Sequence, residues 1–509
     1  MTTSAPEDAG HDRPAVTELR LSAFKSHRGA TFALGPLTLL TGGSGTGKSS
    51  VLEGLTALGR LACGAELAEV FGSVVRGGAA ACVPQGAQPD AQGRRGFRIG
   101  CTVTGPVGPV RLDVAVQAEP TLRIVGERLT GAGETLLTTA LRDPARHTVQ
   151  AAWHTAGEVS VTRAPLPDNV LASALLPLRV SGRTDGQRLV LAAAEQLVVA
   201  LRGIFPVAPR PELMRAPVPH GDGRLRTSCD NLSAVLARTE GECATRHAAL
   251  VNAVRAVCSP PVEGLTVLPA VLPPPGDGQM PLDAVIAAVD RGPLGLVPVD
   301  RLGDGELRFL ALALVLLTGP GVLDVDTSTE LLPAGQVLTV LGDGLDLGLD
   351  GRQLRELLRL AGVAAARGHI RLLGTVQDPE CAEGLGGVTV ARLGDGRRVP
   401  AQDAGGRGGE AGAGGGRAAG AGAGAGAGGG AGRCGRSGQR EAASGGGGRG
   451  GGRSTDADGG GAADGGGRGA GPGAACRGEG GTAGAEAGRV AEEAGREEEG
   501  CGDAVDQSG

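Results

Sequence analysis

The stretch that most constrains this chain is 42–50, which reads Gly-Gly-Ser-Gly-Thr-Gly-Lys-Ser-Ser. It contains a glycine, four further residues and then Gly47-Lys48-Ser49. An apolar run of strand character, 36–41, comes before it, and apolar residues at helical spacing, 51–58, come after it. A strand, a glycine-rich loop and a helix in this order predict a loop that binds phosphate groups.

Each residue type in the loop suits a phosphate ligand. Glycines let the backbone curl so that successive N–H groups point inward, and the helix start adds unpaired N–H groups and a positive dipole end. Lys48 can place its ammonium on the β and γ phosphates, and the Ser49 hydroxyl can bind Mg²⁺. The residues predicted to contact the nucleotide here are Gly42, Gly43, Ser44, Gly45, Thr46, Gly47, Lys48, Ser49 and Ser50.

Lysine usage supports a specific role for Lys48. The chain has 49 basic residues, of which only Lys25 and Lys48 are lysines. A guanidinium is planar and rigid, so it does not replace a compact ammonium inside a tight phosphate cage. The two lysines are therefore expected to serve where arginine would not.

The C-terminal segment 399–509 differs in composition from the rest. From residue 401 it contains Gly, Ala and Arg with scattered acids, and no Leu, Ile, Phe or Trp. Such a segment cannot bury enough apolar area to offset its chain entropy, so we expect a disordered tail. A shifted reading frame in GC-rich DNA would give the same composition, and both interpretations stay open.

Charge, cysteine content and hydropathy limit the class of protein. The formal net charge of −6 argues against a generally basic nucleic-acid binder. The ten cysteines show no C-x-x-C pairing, which indicates free thiols in a reducing compartment. The polar leader 1–14 does not resemble a signal peptide, and the apolar run 309–317 is too short to cross a bilayer. We expect a cytoplasmic protein with no membrane insertion.

The order of strand and helix patterns predicts an α/β fold. Together with the family resemblance given below, these patterns imply a P-loop NTPase head with a central, mostly parallel sheet, an antiparallel β subdomain, a short inserted helical lobe and the disordered tail. Alternating apolar residues over 97–103 and 110–116, with a third run from 122, predict the antiparallel region. The predicted divisions are a leader (1–14), the N-terminal half of the head (15–180), the lobe (181–295), the C-terminal half (296–398) and the tail (399–509).

A second set of motifs lies far along the chain. Leu302-Gly303-Asp304-Gly305-Glu306-Leu307-Arg308 precedes an apolar helix, and Val322-Leu323-Asp324-Val325-Asp326 follows it. An apolar strand that ends in acids suits a Mg²⁺ site beside a phosphate loop, which makes Asp326 the predicted metal-linked acid. A helix over 349–363 and strands over 369–375 and 388–393 complete the pattern.

These motifs together resemble the ABC-superclass ATPase heads of the RecF/SMC type, also described as predicted AAA-family ATPases. Phe24-Lys25-Ser26-His27 is similar to an early Phe-Lys-Ser motif of that family, and 42–49 matches its phosphate loop. The segment 302–308 resembles the signature motif, which reads Leu-Ser-Asp-Gly in related heads. The segment 326–336 resembles its Asp-Glu-Pro-Glu region, and 230–236 resembles a stretch of its inserted lobe.

The resemblance implies a homodimer that sandwiches two ATP molecules with Mg²⁺. The signature of one head would contact the γ-phosphate held by the other. Beyond the phosphate loop, the nucleotide contacts so implied are Lys25, Gly303, Asp304, Gly305 and Glu306, and the Mg²⁺ ligands are Ser49 and Asp326.

The departures from the family pattern predict slow hydrolysis. Gly303 stands where the family has the signature Ser, and Thr327 stands where its catalytic Glu follows the acid. In the alternative register, with Asp324 as the acid, Val325 is no better. Glu330 is a candidate substitute, and Gln377, followed by Asp378, occupies the place of the switch His. A glutamine for the lid loop could be Gln85, Gln88 or Gln92, and the sequence does not choose among them.

The leading hypothesis is an ATP-binding protein of this type, with ATP-driven head dimerisation and weak ATPase activity. One alternative is a DNA-associated repair, maintenance or defence ATPase, which rests on analogy with the family alone. Another is the nucleotide-binding subunit of an ABC transporter, although the 253 positions between Ser49 and Leu302 disfavour it. A small-molecule kinase shares the phosphate loop but needs no signature motif.

Overall fold

A computed structural model describes residues 13–156, 160–221, 223–272, 282–325, 336–394 and 402–403. All of them fall within one unit, Met1–Ala413. Glu330 and Asp326, and with them most of 326–336, lie outside the described residues. So does the tail beyond residue 403.

The elements alternate as an α/β pattern. The strands are β1 (Ala15–Ser22), β2 (Ala30–Ala33), β3 (Leu37–Thr41), β4 (Arg95–Thr104), β5 (Val110–Glu119), β6 (Arg123–Gly131), β7 (Glu134–Ala140), β8 (Thr148–His154), β9 (Val161–Pro167), β10 (Ile204–Val207), β11 (Val218–Pro219), β12 (Gly264–Leu272), β13 (Leu282–Asp290), β14 (Leu296–Pro298), β15 (Leu338–Gly342), β16 (Ile370–Thr375), β17 (Val388–Arg392) and β18 (Gln402–Asp403). The helices are α1 (Lys48–Ala62), α2 (Leu67–Ser73), α3 (Gly78–Ala81), α4 (Ala172–Arg179), α5 (Asp185–Arg202), α6 (Pro211–Met214), α7 (Leu232–Glu242), α8 (Ala244–Val257), α9 (Asp304–Leu317) and α10 (Gly351–Ala366).

The central sheet has the order β10-β15-β16-β3-β17-β18. Its first five strands run parallel, and β18 pairs antiparallel with β17. Every residue of β3 and of β15 is buried, as expected for parallel strands that are covered on both faces. The predicted mostly parallel sheet is therefore present among the described residues, and its carboxyl edge carries the loop at 42–47.

The described part of the strand predicted at 322–326, residues 322–325, is not part of this sheet. Its described residues form a short 3-10 turn, Pro320–Val322, and one isolated bridge between Leu323 and Leu225. The strand that follows α9 in the central sheet is β15, and it ends immediately before Asp343. Asp324 explains why this segment does not join the central sheet as β15 does, because a strand that is buried on both faces has no place for a charged side chain.

A second sheet holds the antiparallel region, with the order β2-β1-β4-β5-β6-β7-β8-β9. Its alternating apolar residues face α1 and α5, and they form one core with residues of the central sheet such as Leu341 and Leu373. Phe97 of β4 meets Phe24 and Phe71 edge to face within this core. Helix α1 thus lies between the two sheets, which fixes the helix that begins at the glycine-rich loop.

The segment predicted as a helical lobe is more varied. Helix α5 packs on the antiparallel sheet and β10 joins the central sheet. Helices α7 and α8 pack on an antiparallel pair of strands, β12 and β13, which the predicted helical lobe did not include. β12 is an edge strand of its sheet, and an edge strand tolerates Pro269 because one side of its backbone is unpaired. Within the described ranges, every helix is too short or too polar to serve as a membrane span.

One buried carboxylate joins the antiparallel sheet to α4. Glu127 of β6 accepts hydrogen bonds from the backbone N–H of Ala172 at 2.7 Å and of Ser173 at 2.8 Å, and from the Ser173 hydroxyl. Burial raises the pKa of Glu127 above its ordinary value, although the bonds from Ser173 and Ala172 oppose this shift. The carboxylate satisfies the N–H groups that begin α4, which have no partner within the helix.

We expect Glu127→Ala to lower the free energy of unfolding by about 3 kcal/mol, because it leaves buried N–H groups without an acceptor and opens a cavity. Chemical denaturation followed by the fluorescence of Trp153, the single tryptophan, measures this change. Glu134→Ala, at an exposed position of neighbouring β7, is the control and should change stability by less than about 0.5 kcal/mol. Equal stabilities for the two variants would contradict the expectation.

Candidate functional site

The glycine-rich loop connects the carboxyl end of β3 to α1. Gly42, Gly45 and Gly47 have φ values of 150°, 83° and 94°, which non-glycine residues rarely adopt. A Cβ at Gly42 would lie 2.6 Å from the Leu393 carbonyl oxygen, so no larger residue fits there. Residues 43–45 are exposed, and the loop therefore presents backbone N–H groups to solvent at the start of a helix.

Lys48 is the first residue of α1, and its side chain folds back over the loop. Its Nζ donates to the carbonyl oxygens of Gly42 at 2.5 Å and of Gly43 at 3.1 Å. These two carbonyl oxygens thus hold the Lys48 ammonium at the open side of the curved loop backbone. This arrangement places one positive charge beside several backbone N–H groups, as binding of a polyphosphate requires.

The acid that meets the loop is Asp343, which the sequence analysis did not single out. The Ser49 hydroxyl donates to Asp343 Oδ2 at 2.7 Å, and the Thr375 hydroxyl donates to Asp343 Oδ1 at 2.7 Å. Because β15, β16 and β3 run parallel, their carboxyl ends bring these three side chains to one edge. A short strand without charged residues, followed by Asp-Gly, was the sequence signal that could have found Asp343.

A hydroxyl and a carboxylate are the oxygen ligands that Mg²⁺ prefers beside nucleotide phosphates. Ser49 and Asp343 therefore fit the predicted metal, with Asp343 in the place that the sequence analysis gave to Asp326. The residue after Asp343 is Gly344, so no carboxylate side chain follows the acid directly.

Lys25, predicted to contact the nucleotide, makes an ion pair with Glu53 of α1. Both side chains are mostly buried, with exposed fractions of 17% and 11%. Glu53 also accepts from Arg76 Nε at 3.2 Å, and the other end of that guanidinium lies 4.0 Å from Asp343 Oδ2. Arg76 is a cation at the site that the sequence analysis missed, because no motif marks it.

Gln377 lies at the same edge of the sheet. Its carbonyl oxygen accepts from the Thr41 hydroxyl at 3.2 Å, and its N–H donates to Asp346 Oδ2 at 2.7 Å. These bonds fix the backbone, while the side chain is exposed. The structure therefore brings Gln377 to the ends of β3 and β16, two residues after Thr375, whose hydroxyl donates to Asp343.

The signature-like segment begins α9, with Gly303 as the residue before the helix. Each of the two acids in this segment pairs with an arginine from an earlier part of the chain. Arg215 donates to Asp304 Oδ1 at 2.6 Å and to the Leu302 carbonyl oxygen at 2.8 Å, and Arg291 pairs with Glu306. Burial, with a smaller contribution from Glu306, raises the pKa of the neighbouring Cys258 to about 12.

One loop connects the surroundings of Ser49 to the signature-like segment of the same chain. The loop 343–350 begins at Asp343, which contacts Ser49, and passes through Gly348, which contacts the signature. A Cβ at Gly305 would lie only 2.4 Å from the Gly348 carbonyl oxygen, so the helix start and this loop approach closely. Asp350 then caps α10 by accepting from the N–H groups of the first turn.

Together, the parallel sheet, the glycine-rich loop between β3 and α1 and the acid at the end of β15 define a fold of the phosphate-loop NTPase type. No model of a protein family matches the sequence, and no curated protein shows detectable similarity to it.

Comparison with solved structures finds ABC-superclass ATPase heads, the class that the motifs resemble. An SMC head bound to the C-terminal winged-helix domain of ScpA is 13% identical, with 76% of this chain and 98% of that chain covered and a TM-score of 0.40. The SMC head domain from Thermotoga maritima is 10% identical, with coverages of 76% and 98% and a TM-score of 0.36. The recombination mediator protein RecF with ATP is 10% identical, with coverages of 77% and 99% and a TM-score of 0.35.

Proposed function

We propose that this chain binds ATP with Mg²⁺ at the loop 42–50, that ATP joins two copies of the chain, and that it hydrolyses ATP slowly. The observation that carries the proposal is the 2.7 Å hydrogen bond between the Ser49 hydroxyl and Asp343. It places a hydroxyl and a carboxylate next to Lys48 and to the N–H groups of the loop. Phosphate binding and metal binding would then occur at one point.

Each residue has a defined task in this proposal. The loop N–H groups and Lys48 hold the β and γ phosphates, and Ser49 and Asp343 hold the metal. A Mg²⁺ ion held by Ser49 and Asp343 would supply positive charge to the phosphate oxygens, and transfer of the γ-phosphoryl group to water would yield ADP and phosphate. The exposed side chain of Gln377 is the candidate for orienting that water.

We expect slow ATP hydrolysis because of the groups that lie near Asp343. Gly344 supplies no carboxylate next to Asp343, and an amide such as Gln377 orients water but does not accept its proton. Glu330 stays a candidate base from the sequence analysis. A site that holds ATP without a strong base should keep the nucleotide, and any dimer that depends on it, for many seconds to minutes.

The proposed dimer uses the signature segment, as the resemblance to RecF/SMC-type heads implies. Gly303 is exposed, and a Cβ there would have no atom within 4 Å, so Gly303→Arg fits within one protomer. The arginine would stand where the partner's nucleotide approaches. Gly319→Arg, at the other end of α9 and equally open, is the matched control.

We expect light scattering of the full chain to show its mass doubling when ATP–Mg²⁺ is added. Gly303→Arg should bind ATP by calorimetry with unchanged affinity at low protein concentration yet stay monomeric, whereas Gly319→Arg should dimerise like the wild type. Steady-state turnover measured alongside should be well below 1 s⁻¹, under the usual enzyme range of about 1–10³ s⁻¹. ATP binding without any change of mass would contradict the dimer and leave the nucleotide site standing.

Two alternatives, a DNA-associated ATPase and a transporter subunit, differ from this proposal in the biological process that the chain would serve. A DNA-associated ATPase would show turnover that rises with added duplex DNA and binding that weakens with salt. A transporter subunit would need a membrane-spanning partner chain. Neither alternative changes the proposed roles of Lys48, Ser49 and Asp343.

A further inference from the structure

His27 lies directly beneath the phosphate loop. It belongs to the tight turn after β1, where Phe24 and His27 exchange backbone hydrogen bonds of 2.9 Å. Its ring packs edge to face on Phe32, with ring centres 5.5 Å apart, and the residue is only 8% exposed. Its Nε2 lies 3.0 Å from the carbonyl oxygen of Gly47, the last residue of the loop.

The hydrogen-bond partner of Nε2 determines which ring nitrogen of His27 carries the hydrogen. A carbonyl oxygen only accepts hydrogen bonds, so Nε2 carries the hydrogen and donates it. Burial lowers the pKa of His27 below its ordinary value, although the bond to Gly47 opposes this shift. At neutral pH the ring is therefore a neutral imidazole with the hydrogen on Nε2.

The Gly47 carbonyl matters because a peptide unit is planar and rigid. The C=O of Gly47 and the N–H of Lys48 belong to the same plane and point in opposite directions. Fixing the carbonyl on His27 therefore fixes the direction of the Lys48 N–H, one of the groups at the helix start that face a bound phosphate. The same carbonyl also accepts the first helical bond, from Val51 N–H at 3.2 Å.

Packing beneath this peptide is close. A Cβ at Gly47 would lie 2.6 Å from His27 Nε2 and 2.5 Å from the Ser26 hydroxyl oxygen. The turn that contains Ser26 and His27 thus contacts the loop at the point where the backbone enters α1. The turn has no room to shift toward Gly47.

We propose that His27 is a positioning residue that orients the Gly47–Lys48 peptide for binding of a triphosphate. This inference rests on the proposed function and extends it to a residue outside the loop itself. A peptide that is already oriented loses less freedom on binding, so the gain appears as affinity for the phosphates.

The experiment compares His27→Leu, which removes the donor, with His27→Gln, whose Nε2 can donate from a similar position. ATP–Mg²⁺ affinity by calorimetry should fall about tenfold in His27→Leu and recover mostly in His27→Gln, because one net hydrogen bond corresponds to about this change. Ser26→Ala, which removes a neighbouring hydroxyl that makes no bond to the Gly47 carbonyl, is the control and should bind like the wild type.

Hydrogen exchange of the segment 43–50 without nucleotide gives a second, independent readout. Exchange there should be faster in His27→Leu than in His27→Gln, at equal midpoints of thermal unfolding. Unchanged ATP affinity in His27→Leu, or a His27→Gln variant as weak as His27→Leu, would overturn the inference. A wild-type chain that binds no ATP would instead refute the proposed function, and the exchange measurement would still decide whether His27 holds the loop.

Discussion

Lys48→Ala should weaken ATP binding by about 100-fold to 1,000-fold. The Nζ of Lys48 lies within 3.1 Å of two carbonyl oxygens at the mouth of the loop, so it needs only to turn to reach bound phosphates. Hydrogen bonds to charged groups contribute about 1.5–3 kcal/mol each, and two such bonds near the lower end of that range give about 3–4 kcal/mol, which corresponds to this loss of affinity. Titration calorimetry with ATP–Mg²⁺ on the full chain measures the change.

Two further variants make this result specific. Lys48→Arg keeps the charge but should bind weakly as well, because a planar guanidinium does not fit the curl of the loop. Arg60→Ala removes an exposed cation from the same helix, which pairs with Glu69 at 3.0 Å, and should leave the affinity unchanged. If Lys48→Ala binds ATP as tightly as Arg60→Ala, the loop is not a nucleotide site.

The phosphate loop could be predicted from the sequence because its physics is local. The positive φ values of Gly45 and Gly47, the buried strand before them and the helix start after them are all properties of adjacent residues. The alternation that builds the antiparallel sheet is local in the same sense, so its strands were recognisable from 97 onward. Segments whose structure depends on neighbours in the chain are the ones that a single sequence specifies well.

The metal-linked acid could not be chosen in the same way. Two apolar runs that end in acids follow α9, at 322–326 and at 337–343, and each could in principle pair beside β16. The choice depends on which run tolerates burial on both faces. Asp324 interrupts the first run, whereas β15 is buried throughout and contains no charged residue. Pairing between strands distant in sequence brings Asp343 to Ser49, whereas Asp326 lies outside the described residues and its metal role stays a prediction.

The pairing of side chains was likewise not predictable from the sequence alone. The motif that contains Lys25 suggested a nucleotide contact, which stays a prediction, but it did not indicate that the mostly buried carboxylate of Glu53 pairs with this ammonium. Helical spacing alone did not place Glu53 of α1 opposite the turn after β1. Likewise the pairing of Glu306 with Arg291 joins the signature to the end of β13, a strand in the segment 181–295 that was predicted as a helical lobe.

The second large effect concerns Asp343. Asp343→Ala should make ATP binding independent of Mg²⁺ and lower the affinity in Mg²⁺ by about 10-fold to 100-fold, the range seen when groups around a metal are lost. The carboxylate accepts from both Ser49 and Thr375, so its removal takes away a metal ligand and frees the hydroxyl that shares the site. Calorimetric titration of ATP in Mg²⁺ and in EDTA gives the ratio of affinities for each variant.

The matched comparison is Asp326→Ala, which tests the acid that the sequence pattern favoured, with Asp324→Ala as the alternative register. Both should keep the wild-type ratio between Mg²⁺ and EDTA, because in the described part of the chain the acid that contacts Ser49 is Asp343. Asp343→Asn should fall between the wild type and Asp343→Ala, since an amide oxygen still binds the metal but carries no charge. A loss of the Mg²⁺ effect in Asp326→Ala, with Asp343→Ala unchanged, would return the metal to the segment after α9 and leave the Ser49–Asp343 contact without a functional role.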